Sequence, residues 1–294
     1  MNIKSIITGV LFICSISSFA QEPEVKKVLF PTGYESKIDE VYTDVRDWKG
    51  RLDVYYNPLS LKPTPVVLHI HGGGWNHGTK ESQTGFSSYF KAGFAVVNVE
   101  YRLVQIATAP AAIEDIRTAL HYIKENSKKL NINPDKIVIE GGSSGAHLAL
   151  MGGLLENNRL FDTNCSGELD MKVAAIISNY APSDLPSLLT NSTLTNSLTK
   201  WLGDKANNPE FVASVSPLTY IKKSSPPVFI VHGNADKIVP YSQSVELQKK
   251  LNESGVYNEF ITVDGGGHGS FEKEKKTEIN LALIKFLRKV KVIE

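Results

Sequence analysis

The chain has 294 residues, and its 32 Lys and Arg nearly cancel its 31 Asp and Glu, leaving a formal net charge of +1. With no basic stripe and no block of like charge, nothing in it asks for a nucleic acid or an anionic membrane as partner. Cys14 sits in the extreme N-terminal segment and Cys165 is then alone, so the fold must rest on a packed core and not on internal disulfides.

Lys4, the apolar run from Ile6 to Cys14 and the small residues of Ser18-Phe19-Ala20 have the three-part layout of a secretory signal peptide. Cleavage is expected before Gln21, which makes 1–20 the signal and 21–294 a single domain, secreted or periplasmic. Thr8, Gly9 and the serines from Ser15 onward keep the run well short of the ~20 apolar residues that span a bilayer, so no membrane span is expected. Bulky Ile13 before Cys14 argues against lipoprotein processing. The triplets Asn164-Cys165-Ser166 and Asn191-Ser192-Thr193 match glycosylation sites, a pattern that arises often by chance.

Residues 41–48 and 52–56 alternate apolar and polar side chains around Lys49-Gly50, which predicts an antiparallel hairpin. Short runs rich in Val and Ile follow at 65–70, 94–99, 136–139, 173–178, 227–231 and 259–263. Several lack alternation, as strands covered on both faces do. Helix candidates lie between and after them at 111–125, 144–155, 242–251 and 277–290. In the last, Ile279, Leu283, Phe286, Leu287 and Val290 form one apolar stripe at helical spacing. Strand and helix alternating in this way predict an α/β fold with a mostly parallel central sheet and helices on both faces. Two stretches break the rhythm: the polar segment 157–171 and the long segment 184–225. The second follows a predicted strand on the edge where open α/β sheets bind ligands, and reads as a small lid-like insertion.

The strongest chemical signal is Gly141-Gly142-Ser143-Ser144-Gly145, where a strand enters a Gly-x-Ser-x-Gly turn and leaves as a helix. The turn presents Ser143 at a helix N-terminus, whose dipole favours developing negative charge. Ser144 competes as nucleophile, but its frame would need glycine where Ala146 stands. A second strand ends in His71-Gly72-Gly73-Gly74-Trp75, whose uncovered backbone amides suit an oxyanion. Gly73 is the expected donor, with Gly72 the alternative register, joined by the amide of Ser144. His71 is read as a brace for the loop. Trp75 is read as a substrate contact, with burial in the core as its other reading.

A serine hydroxyl needs a base, and in this class of turn the order along the chain is nucleophile, acid, histidine. His147 falls inside the helix leaving the turn, so His232 and His268 remain. His232 ends a strand, where the acid is expected, whereas His268 lies in the loop Gly265-Gly266-Gly267-His268-Gly269 after the last strand. Asp236 follows strand 227–231 closely and is the expected acid, accepting the imidazole Nδ1 proton. Asp184 is the reserve, and Asp264 stands too near His268 to reach round it comfortably.

These motifs resemble the α/β-hydrolase esterases, in particular the hormone-sensitive-lipase-like group and related bacterial feruloyl and acetylxylan esterases. The resemblance rests on His71-Gly72-Gly73-Gly74-Trp75, Tyr101-Arg102-Leu103, the Ser143 turn, Ser216-Pro217, His232-Gly233-Asn234-Ala235-Asp236 and Gly267-His268. It implies an α/β-hydrolase fold, triad roles for Ser143, Asp236 and His268, and oxyanion work for the glycine loop. It also gives Asp115 a structural contact. Ala146 departs from a common glycine, and 21–40 is too short for the N-terminal cap usual in the lipase group, which points to a site open to bulky alcohols. The expected function is hydrolysis of small-molecule or polysaccharide-linked carboxylic esters through an acyl-enzyme, with no metal and no cofactor. The alternatives are an amidase or peptidase of the same fold, akin to kynurenine formamidases, and a catalytically silent binding protein. Oligomeric state is not legible.

Overall fold

An eight-stranded sheet forms the frame of the computed structural model, which describes residues 27–190 and 193–294. The expected signal segment, and Asn191 and Ser192 of the second glycosylation triplet, lie outside the described residues. In chain order the strands are β1 (Glu35–Val45), β2 (Trp48–Tyr56), β3 (Thr64–Ile70), β4 (Ala95–Val99), β5 (Ile132–Gly142), β6 (Ala175–Asn179), β7 (Val228–Gly233) and β8 (Asn258–Val263). Their order across the sheet is β1-β2-β4-β3-β5-β6-β7-β8, antiparallel from β1 to β4 and parallel from β4 to β8. The helices are α1 (Ser87–Lys91), α2 (Ala111–Glu125), α3 (Ser144–Leu154), α4 (Leu185–Leu188), α5 (Thr195–Leu202), α6 (Pro209–Ser214), α7 (Ser242–Glu253) and α8 (Lys273–Lys289). This is the mostly parallel α/β-hydrolase arrangement that the sequence predicts.

The unbroken apolar runs have a simple cause. Along β3, Val66, Leu68 and Ile70 pack into one core with α2 and α3, while Val67 packs into the other with α1 and α8. Val97 and Val96 on β4, and Ile139 and Val138 on β5, divide in the same way. Successive residues of a strand point to opposite faces, so a strand covered on both must be apolar at every position. The stripe on α8 behaves as expected, with Leu283, Phe286 and Leu287 buried against the sheet. Each such burial contributes roughly 1.5–3 kcal/mol.

The hairpin differs from expectation in one detail. Its turn is Arg46-Asp47, not Lys49-Gly50, because Val45 pairs with Trp48 and a two-residue connection fits between them. Arg46 adopts φ 55°, the positive value such hairpin turns need. Gly50 lies within β2, where a Cβ would come 2.7 Å from Tyr42 and 2.8 Å from Trp48. Its glycine answers crowding by aromatic rings, and the sequence reading mistook that for a turn signal.

Segment 157–171 has no regular structure but is tied down, for the buried Arg117 donates Nε to Asp162 at 2.6 Å and Nη2 to Glu156 O at 2.8 Å. Segment 184–225 carries α4, α5 and α6, and Trp201 of α5 is fully buried against Trp75. Among the described residues no helix is long and apolar enough to cross a membrane.

Candidate active site

β5 ends at Gly142 and α3 begins at Ser144, so Ser143 itself makes the turn, at φ 56° and ψ −124°. Holding a side chain there costs of order 1–3 kcal/mol, and the surrounding structure must enforce it. Ser143 N donates to Asn179 O at 2.9 Å, and Ser143 O accepts from His147 N at 3.0 Å. The flanking glycines are required by contact. A Cβ on Gly141 would lie 2.3 Å from the backbone of Gly145, and one on Gly145 would lie 2.3 Å from Ile70 O. Ser143 lines a cavity of about 470 Å³ together with His268, Tyr180 and the glycine loop. Ser144, the competing candidate, is 1% exposed and does not line it.

The His268 loop brings its imidazole to the same cavity, with Nδ1 donating to Asp236 Oδ2 at 2.7 Å. Backbone contact between two loops achieves this. Ala235 N donates to Gly266 O at 3.0 Å, Asn234 Nδ2 donates to Asp264 at 2.9 Å, and Gly265 N donates to Asn234 Oδ1 at 2.7 Å. A Cβ on Gly233 would sit 2.1 Å from Gly266 O, so glycine is needed where the loops touch. Asp264 is thus committed to Asn234, and Asp184 precedes α4 and does not line this cavity. No hydrogen bond joins Ser143 to His268 in this structure; such bonds are often long before substrate arrives.

Asp236 is held from four directions. Oδ1 accepts from the amides of Ile238 and Val239 at 2.8 and 3.1 Å, while Oδ2 accepts from His268 and from His232 Nε2 at 3.1 Å. Burial alone would raise its pKa, but these donors, the two histidines foremost, hold it well below the usual carboxylate range. His232 is wholly buried and its Nδ1 lies 2.8 Å from the Ser244 hydroxyl. With Ser244 donating to Nδ1, the proton of His232 sits on Nε2 and points at the acid. His232 is therefore a second donor to Asp236 and not a base facing the cavity.

The glycine loop lines the cavity through Gly72, Gly73 and Gly74. A Cβ on Gly72 would lie 3.6 Å from Ser143 Cβ, which places that residue against the nucleophile. Gly73, at φ 122°, could not carry a Cβ at all, since it would fall 1.9 Å from His77 O. The amide of Ser144 opens α3 and is one of the first-turn donors a helix leaves free. His71 braces this loop as expected. Its Nδ1 lies 2.7 Å from Gly72 O, its ring stacks on Tyr101 at 4.3 Å, and burial lowers its pKa to about 4. Asp115, fully buried, accepts from Arg102 N at 2.7 Å and Arg102 Nε at 2.9 Å, a structural contact as expected.

Trp75 corrects the sequence reading. It is fully buried, absent from the cavity wall, stacked on Trp201 at 4.8 Å and bonded through Nε1 to His147 Nδ1 at 3.3 Å. Gly74 and Trp75 both adopt positive φ, which turns the loop so that the indole enters the core. It anchors the glycine loop from within the core, outside the cavity wall.

Sequence reasoning missed Tyr180. It follows β6 at φ 46° and sets its ring edge-on to His268 at 4.7 Å. Its hydroxyl packs where a Cβ on Gly142 or Gly269 would otherwise sit, at 2.8 and 2.7 Å. A tyrosine one residue past a strand end on the ligand-binding edge was the available signal. Also missed was the role of Lys80, nearly fully buried among Asp39, Asp53 and Glu81, which pins the segment that carries Ser82 and Gln83 into the cavity wall. Among the described residues no group of three His, Cys, Asp or Glu side chains is placed to hold a metal ion.

Comparison with known proteins agrees with this architecture. The BD-FAE family model matches residues 52–251. Esterase LipC of Mycobacterium tuberculosis is 26% identical over 228 residues, covering 74% of this chain and 56% of the relative. Esterase LipQ of the same organism is 29% identical over 212 residues, covering 69% and 50%. The chain thus spans about half the length of these curated relatives. Among solved structures, a truncated carbohydrate esterase from gut microbiota superposes with a TM-score of 0.75 at 27% identity, covering 88% of this chain and 99% of that one.

Proposed function

The chain belongs to the BD-FAE family, and from that premise we propose that it is a serine hydrolase of carboxylic esters. Ser143 Oγ attacks the ester carbonyl while His268 Nε2 takes its proton. Asp236 holds the imidazole by Nδ1 and stabilises the imidazolium that forms. The amides of Gly73, or of Gly72 in the neighbouring register, and of Ser144 receive the oxyanion; each such donor is worth about 2.7–4 kcal/mol in this chemistry. His268 returns the proton to the departing alcohol, and water then releases the acyl-enzyme by the same steps in reverse roles. The observation that carries the reading is the conjunction at one cavity of a strained serine on a helix N-terminus and an imidazole bonded at 2.7 Å to a buried carboxylate.

The proposal extends to export, with cleavage before Gln21, on the N-terminal pattern alone. N-terminal sequencing of the mature protein tests it; an intact Met1 in the exported fraction would refute it. For the activity, wild type and Ser143→Ala are to be compared on short and long acyl p-nitrophenyl esters, acetylated xylan, methyl ferulate and a dipeptide amide. Serine-dependent ester cleavage is the expected result. Cleavage of the amide alone would favour the amidase reading, and no cleavage by folded protein would favour a silent scaffold.

A further inference from the structure

The loop that carries His268 has few restraints of its own. Its backbone bonds end at Gly266, and among the described residues no backbone hydrogen bond outside helices and strands involves 267–271. Gly265 and Gly269 take positive φ, 66° and 68°. The imidazole is bonded once, through Nδ1 to Asp236. One hydrogen bond fixes one atom; the direction of Nε2, which must meet Ser143, is left to packing.

Tyr180 supplies that packing. Its ring lies edge-on to His268 at 4.7 Å and to Phe271, on the same loop, at 6.2 Å. On its other side it meets the nucleophile turn. The three nearest atoms that a Cβ on Gly142 would meet all belong to Tyr180: Oη at 2.8 Å, Cζ at 3.1 Å and Cε2 at 3.2 Å. A Cβ on Gly269 would meet the same hydroxyl at 2.7 Å. The motif Gly-x-Ser-x-Gly leaves its second position open to any residue, so glycine at 142 answers Tyr180 and not the turn. The backbone of Tyr180 is strained in this place, for at φ 46° a bulky side chain is an outlier. Its N–H donates to Val231 O at 2.7 Å, which holds it there. Burial, and after it the charges of Glu140 and Asp236, push the phenol pKa up, so the hydroxyl remains neutral and acts through its shape.

We propose that Tyr180 is a positioning residue, a wedge between the Ser143 turn and the His268 loop that sets how Nε2 stands to the nucleophile. Its ring bars the imidazole from swinging about the bond to Asp236, and its hydroxyl keeps Gly142 and Gly269 apart. Misplacing a reacting group by about 1 Å can cost on the order of 100-fold in rate, so loss of the wedge is read in kcat. The inference rests on the hydrolase reading above.

The test measures p-nitrophenyl acetate turnover in Tyr180→Phe, Tyr180→Leu, Gly142→Ala and the double variant Tyr180→Phe/Gly142→Ala, with thermal unfolding as a check on folding. Tyr180→Leu is expected to lower kcat about tenfold or more with KM within about twofold, while Tyr180→Phe, which keeps the ring, retains most of the rate. Gly142→Ala should lower kcat by a similar factor, since its Cβ drives the hydroxyl aside. Without that hydroxyl the nearest contacts open to 3.1 and 3.2 Å, so the double variant should recover most of the loss. A raised KM at unchanged kcat in Tyr180→Leu, or an equal cost of Gly142→Ala in both backgrounds, would overturn the proposal. The Gly142 pair decides the question even where Tyr180→Leu does not fold. The Nδ1 proton of His268, seen by NMR downfield of the amides and identified by its loss in His268→Gln, gives an answer that does not need turnover. Broadening or loss of that signal in Tyr180→Leu supports the wedge, and a signal as sharp as in wild type refutes it. Absence of ester cleavage by wild type, with the signal present, would instead count against the hydrolase reading.

Discussion

His147 ties stability to pH through a single buried ring. It lies in α3, fully enclosed, with Nε2 at 2.9 Å from Val215 O and Nδ1 at 3.3 Å from Trp75 Nε1. Since Trp can only donate, Nδ1 must accept and the proton sits on Nε2. A second proton would face the indole N–H directly, in a fully buried site. Burial accordingly lowers the His147 pKa from 6.5 to about 4, against a smaller opposing effect of the Val215 carbonyl. The folded pKa lies below the unfolded one, so the unfolded chain binds the proton more readily. The contribution is then complete above pH ~6.5 and is lost as pH falls through ~4. At ~1.4 kcal/mol per pH unit the full loss is about 3 kcal/mol, of which about 2 kcal/mol has gone by pH 5. For a chain of this size 2 kcal/mol lowers Tm by roughly 3–4 °C. Chemical denaturation at half-unit steps from pH 7 to 4 measures it. His71 adds a similar slope, its pKa also being about 4 through burial, so the comparison must be with His147→Gln. Glutamine can accept from Trp75 and donate to Val215 without titrating, and the variant should lose the His147 share of the slope. Parallel curves for wild type and variant would refute the reasoning.

Other expectations are independent of that one. Trp75→Phe removes the bond to His147 and leaves Nδ1 unpaired, so it should cost about 1–3 kcal/mol in denaturant titration while KM for p-nitrophenyl acetate stays within twofold. A raised KM at unchanged stability would restore Trp75 as a substrate contact. His232→Ala removes a hydrogen bond to a charged acceptor, worth about 1.5–3 kcal/mol, and should lower kcat tenfold or more at constant KM. His232→Gln, which keeps a donor, should retain most of the rate, and equal rates in all three proteins would deny His232 any role in holding the acid. Gly145→Ala would drive a Cβ to 2.3 Å from Ile70 O, so soluble protein with wild-type Tm would contradict the packing described at the turn.

Much of this was legible because each signal is local. A strand buried on both faces is apolar throughout, so the parallel sheet could be read from runs such as 227–231 without an alignment. The Ser143 turn could be read because steric need fixes glycine at 141 and 145, and Asp236 and His268 follow from chain order. What was not legible depends on partners distant in sequence. Gly50 is forced by rings of Tyr42 and Trp48 packing across the hairpin, not by turn chemistry. The fate of Trp75 depends on Trp201, 126 positions later, which supplies the ring that it stacks on. His232 looked like a weak rival for the base, and only the shared Oδ2 of Asp236 gives it its place. Tyr180 carries no motif; its importance comes from the space left by Gly142 and Gly269.

The central claim is that Ser143, and not Ser144, is the nucleophile served by His268. Reaction with a p-nitrophenyl phosphonate followed by peptide mass spectrometry tests it most directly. One phosphonyl group per chain, on Ser143, with none acquired by Ser143→Ala and full labelling of Ser144→Ala, is the predicted result. Modification at Ser144, or undiminished labelling of Ser143→Ala, would contradict the account.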